Sequence, residues 1–128
     1  MKKLFSVFML IAVLFTCASC HENPSQQQLY SKLITHFERF GFSCAVQPVQ
    51  AGREVPIYQA SAWSSLMLDH DELLVYFDES NRADYLAGFV DESLYGNVFC
   101  FGQRFVLVYA GQNAAVLEAL ESIENRSI

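Results

Sequence analysis

The predicted strand Arg104–Tyr109, with its residues Phe105-Val106-Leu107-Val108-Tyr109, constrains this chain more than any other stretch. They are β-prone, and extended they set Phe105, Leu107 and Tyr109 on one face with Val106 and Val108 on the other. Both faces are apolar. A strand of that kind lies inside its sheet and is covered on both sides. The run before it, Asn97–Phe101, is a second strand, joined through Gly102-Gln103. Glycine first in a two-residue loop predicts a type II′ hairpin. Gly111 ends the pair.

The rest of the chain supplies layers for that hairpin. Leu29, Tyr30, Leu33, Ile34, Phe37 and Phe40 recur at helical spacing, which predicts an amphipathic helix from an N-cap at Ser25 to a stop at Gly41. Phe42–Val49 alternates as a first strand and ends near Pro48. Ala51–Glu54 is a turn, and Val55–Leu68 is expected to be extended. Asp69–Glu72 is a polar turn. Leu73–Phe77 is the most compact strand signal. Arg82–Glu92 places Tyr85, Leu86, Phe89 and Val90 on one helical face, although Gly88 weakens it. Asn113 caps a last helix with Val116, Leu117, Leu120 and Ile123 inward, and residues 125–128 are expected to fray. The predicted order is α-β-β-β-α-β-β-α. A mostly antiparallel sheet of four or five strands with three helices makes an α+β two-layer sandwich.

Residues 1–20 read as an address. Lys2 and Lys3 are followed by an apolar run from Leu4 to Phe15, then by Thr16, Ala18 and Ser19, and the run stops at Cys20. That is the order of a secretory signal peptide. The run is shorter than the roughly 20 residues a membrane-spanning helix needs. The segment Cys17-Ala18-Ser19-Cys20 resembles the bacterial lipoprotein lipobox, with Cys17 where leucine is usual. The resemblance implies a signal peptide over 1–19, lipid attachment (palmitate among the acyl chains) on Cys20, and a location in the cell envelope outside the cytoplasm. His21 after Cys20 points to the outer membrane if the cell has two, and otherwise to the outer leaflet of the cell membrane. Two or more acyl chains anchor stably where one does not. An ordinary cleaved signal that releases a soluble protein is the competing reading. Residues 20–26 would be the lipidated cysteine and a polar tether, and residues 27–128 one small domain. The hydrophobic pattern over about residues 70–124 is also similar to small uncharacterised bacterial lipoproteins, which implies no known activity.

Loss of Lys2 and Lys3 leaves six Lys and Arg against fourteen Asp and Glu, a net charge of −8. Such acidity argues against nucleic acid as a partner, since that needs a basic field. Cys44 and Cys100 would be the pair left in an oxidising compartment. They are either bridged, closing a long loop, or two separate buried thiols.

Candidate chemistry is sparse. Asp69-x-Asp71 with Glu72 has the spacing of oxygen ligands for Ca²⁺, but the glycine and distal glutamate of an EF-hand loop are missing, so solvated turn acids explain it better. His36, His70, Cys44 and Cys100 have no tight metal spacing. Ser64 and Ser65 lack a nucleophile-elbow setting. No metal, cofactor or catalytic residue is therefore assigned, and the chain is not expected to be an enzyme. Among the aromatics Tyr58, Trp63, Tyr76, Phe77, Tyr95, Phe99 and Phe101, most are expected to be core. Trp63 and Tyr95, in less regular segments, are the candidates for an exposed binding face. The expected function is an anchored envelope lipoprotein with a non-catalytic accessory or interaction domain. The alternative is a cell-wall glycan- or peptide-binding domain.

Overall fold

A computed structural model of the protein describes residues 25–124. The expected signal segment, the lipobox-like Cys17–Cys20, most of the expected tether and residues 125–128 lie outside them. Helix α1 spans Gln26–Arg39. Its start is a reciprocal cap: Gln28 N–H donates to Ser25 Oγ at 3.2 Å, and Ser25 N–H donates to Gln28 Oε1 at 3.1 Å. Strands follow as β1 Cys44–Pro48, β2 Trp63–Leu68 and β3 Asp71–Phe77. Two short helices, α2 Ala83–Ala87 and α3 Glu92–Tyr95, precede β4 Asn97–Phe101 and β5 Phe105–Tyr109. Helix α4 spans Ala114–Glu124. Asn113 caps it, its Oδ1 accepting from Ala115 N–H at 3.0 Å.

The five strands form one antiparallel sheet in the order β1-β2-β3-β5-β4. The α+β class with an antiparallel sheet is as the sequence predicts. β5 is interior to the sheet, and all five of its residues are buried. On one face Leu66, Leu68, Leu73, Val75, Phe105 and Leu107 meet Leu29, Leu33 and Phe37 of α1 and Val116, Leu120 and Ile123 of α4. His36 is buried at this helix seam, its Nε2 donating to Ala119 O at 2.8 Å. The other face is covered as well. There Trp63, Leu74, Val106 and Val108 pack with Val49, Ala60, Ala83, Leu86 and Val90. This second cover, made of α2, α3 and residues 49–62, holds the site described below.

Four expectations are corrected. The single helix over Arg82–Glu92 is two. α2 ends at Gly88, and Asp91 starts α3 afresh by accepting from Ser93 N–H at 3.0 Å. Val55–Leu68 is extended only from Trp63; before it lies a 3₁₀ turn, Ala60–Ala62, and irregular chain.

The hairpin is not type II′, which needs positive φ at the first loop residue alone. Gly102 and Gln103 both have it, at 59° and 61°. Gln103 holds that shape because α2 grips it. Its carbonyl accepts from Ala83 N–H at 3.0 Å, its Oε1 accepts from Asp84 N–H at 3.2 Å, and its Nε2 donates to the Asp84 carboxylate. These bonds offset a left-handed cost of about 1–2 kcal/mol.

The Cys44–Cys100 bridge is ruled out by topology. The two residues lie on β1 and β4, the opposite outer strands of the sheet, and pack into opposite faces. Four strand spacings put them roughly 19 Å apart, whereas a disulfide tolerates at most about 7 Å between Cα atoms. Both residues carry unbridged sulfur.

Candidate functional site

Most acids of the 69–92 segment are fastenings, their carboxylates bonded to named partners. Asp69 Oδ1 accepts from Ser43 N–H at 2.9 Å. Asp71 receives the Tyr109 hydroxyl at 2.8 Å and Asn113 Nδ2 at 3.0 Å, and so ties β3 to β5 and to the start of α4. The bond from Asn113 foremost, and then that from Tyr109, holds the Asp71 carboxyl below its ordinary pKa. Glu72 takes both ends of the Arg53 guanidinium and the Ser65 hydroxyl at 2.8 Å. Its carboxyl is lowered mainly by Arg53. Asp78 is buried and accepts the backbone N–H of Ser80 at 3.1 Å and of Arg82 at 2.5 Å.

That last pair of bonds lies beside an open cleft on the surface. Arg82, Tyr85, Leu86 and Phe89 on the α2 side face Ile57 and Tyr58 on the loop side across a cleft of about 400 Å³. The loop wall is an aromatic stack. Tyr58 lies on Tyr76 with centroids 5.4 Å apart and planes at 26°, and Tyr76 meets Trp63 at 5.5 Å. The opposite wall is Tyr85 edge-on to Phe89 at 5.1 Å. The rims are open to solvent: Tyr58 is 60% exposed, Tyr85 64% and Phe89 59%. Exposed aromatics gathered around one concavity are the usual mark of a binding surface.

Tyr58 is also strained. Its φ is +61°, a genuine outlier for a bulky non-glycine residue. The neighbouring residue is pinned, because Trp63 Nε1–H donates to Ile57 O at 2.6 Å. Strain of this kind costs about 1–3 kcal/mol, and it persists only where the surroundings impose it.

Trp63 is therefore not an exposed binding residue. It opens β2 opposite Tyr76 and is 2% exposed. A buried indole needs an acceptor for its N–H, and the Ile57 carbonyl supplies it. Its part is to hold the loop that carries Tyr58. Tyr95 is half-buried against the same core and lines a smaller cleft of about 210 Å³ with Arg53, Glu54, Glu72 and Leu94. Trp63 thus supports the Tyr58 loop from beneath, while Tyr95 lines a different concavity.

The sequence misses Tyr85 and Phe89 for a definite reason. They share a helical face with Leu86 and Val90 by spacing, but the face that packs inward is Ala83, Leu86 and Val90. Ala83, fully buried, was the signal for that rotation. Among the described residues no group of three or more His, Cys, Asp or Glu converges as a metal site would, and no helix is long and apolar enough to cross a membrane.

Comparison with known proteins gives no match: no family model, no curated protein and no solved structure is similar to this chain.

Proposed function

We propose that this chain is a lipid-anchored cell-envelope protein whose domain is an interaction module, binding its partner through the Tyr58–Tyr85–Phe89 cleft without catalysing a reaction. The anchor rests on the order of residues 1–20: a basic start, an apolar run, then small residues and Cys20. The cleft carries the binding half. Its rims are exposed aromatics, and one of them, Tyr58, stands in a strained backbone. The carboxylates of Asp78 and Asp84 beside it are spent on caps and clasps, which suits recognition better than acid–base work. The aromatic walls also favour the narrower reading, a domain that binds cell-wall glycan or peptide.

Two experiments test the halves separately. Palmitate label should enter the wild-type chain and fail to enter Cys20→Ser; label that survives the substitution overturns the anchor. Purified cell-wall peptidoglycan should retain the full chain and release the Tyr58→Ala/Phe89→Ala variant. No retention of either chain removes the cell-wall reading, and equal retention removes the cleft.

A further inference from the structure

Among the described residues the one ionised group lining the cleft is the Arg82 guanidinium, and its charge defines a ligand. Its only ionic neighbour among the described residues is Asp78, at 3.9 Å from Nε, beyond hydrogen-bond reach. The Asp78 carboxylate already serves two backbone N–H groups. The terminal guanidinium nitrogens have no protein acceptor among the described residues, and the half-exposed side chain is part of the cleft lining. A planar fork of this kind matches a carboxylate. We infer that the cleft takes the C-terminal end of a peptide whose last residues carry apolar side chains. The terminal carboxylate sits on Arg82, and the side chains lie between the Tyr58–Tyr76 stack and the Tyr85–Phe89 pair. This rests on the reading that the cleft is the binding face.

Three observations select that occupant. The remaining lining, Ile57, Tyr58, Tyr85, Leu86 and Phe89, is apolar or aromatic, so the body of the ligand is apolar. The rim aromatics Tyr58, Tyr85 and Phe89 are exposed, whereas a small-molecule pocket encloses roughly 70–90% of a drug-sized ligand. A chain end that enters and continues into solvent fits a trough. Finally, the surroundings are acidic: Asp78, Glu79 and Asp84 flank Arg82 in sequence, and the mature chain is strongly anionic. Asp84 is engaged by Gln103, and only the backbone of Glu79 is held, by Arg104 at 3.2 Å. A polyanion is repelled there, while a single carboxylate seated on Arg82 is tolerated.

The test is calorimetric titration of the full chain in non-ionic detergent with acetyl-Ala-Leu-Phe as the free acid and as the C-terminal amide. The acid should bind about tenfold or more tightly than the amide, the effect of one charge-assisted pair. Arg82→Gln should abolish that preference and Arg82→Lys should keep part of it. Tyr58→Ala should weaken acid and amide alike. Equal affinity for the two forms, a preference that survives Arg82→Gln, or binding of chitotriose in place of the acid overturns the inference. If the acid fails to bind while peptidoglycan still retains the chain through Tyr58 and Phe89, this inference falls and the binding face stands. If neither assay responds to Tyr58→Ala/Phe89→Ala, both fall.

Discussion

At the scale of single residues, the fold spends its polar side chains on fixing turns. Trp63 does so from inside the core. Its N–H bond to Ile57 O sets the loop on which Tyr58 stands. Trp63→Phe keeps most of the buried ring but leaves that carbonyl unpaired, so the domain should lose about 1–3 kcal/mol. A denaturant midpoint unchanged from wild type would show that the bond does not hold the loop. Asp71 and Glu72 behave as stabilising carboxylates. Each has a folded-state pKa below its unfolded value, so its contribution is complete above the ordinary carboxylate range and is lost as pH falls through the lowered value. Urea midpoints should therefore drop from neutral pH toward acid, and Asp71→Asn should flatten part of the drop. A pH profile identical in that variant contradicts the assignment.

At the scale of elements, local signals were legible and packing-dependent ones were not. Caps are local: Ser25 before α1 and Asn113 before α4 were readable, and so were the alternation of β3 and the double-sided apolar run of β5. The faces of α2 were not, because Tyr85 and Phe89 satisfy helical spacing as well as Ala83 and Val90 do. Only the sheet beneath decides which set turns inward. The hairpin shape was equally illegible, since Gln103 takes its left-handed φ from bonds to α2, nineteen or more residues away in sequence. Trp63 was misplaced because its acceptor belongs to an irregular loop that no periodicity announces. Gly96 gives the sharpest test of an element junction. At φ +114° it sits where an added Cβ would lie 2.3 Å from the Tyr109 carbonyl oxygen and 2.7 Å from Ala110 Cα, both backbone atoms that cannot swing away. Gly96→Ala should cost about 4 kcal/mol or more. Soluble, wild-type-stable protein would contradict the close approach of β4's entry to β5's exit.

At the scale of the whole molecule, the sheet has two dissimilar covers. The α1–α4 layer is a conventional helical lid over the larger core. The α2–α3 layer with residues 49–62 is thinner, more irregular and more open, and it carries the cleft. The sheet that separates the covers also separates Cys44 from Cys100. Peptide mapping without reduction should accordingly find no fragment joining the two, and recovery of such a fragment would refute the strand order. The candidate site was only half legible at this scale. A cluster of exposed aromatics was foreseeable from composition, but its members came from a loop and a helix that the sequence does not bring together.

The most direct test of the central claim is hydroxyl-radical footprinting of the chain on intact cells, compared with the purified protein. A binding module at work should protect Tyr58, Tyr85 and Phe89 on cells, while Phe40, 40% exposed at the end of α1 and outside the cleft, reacts equally in both. Oxidation of the three cleft aromatics to the same extent on cells and in isolation would contradict the account.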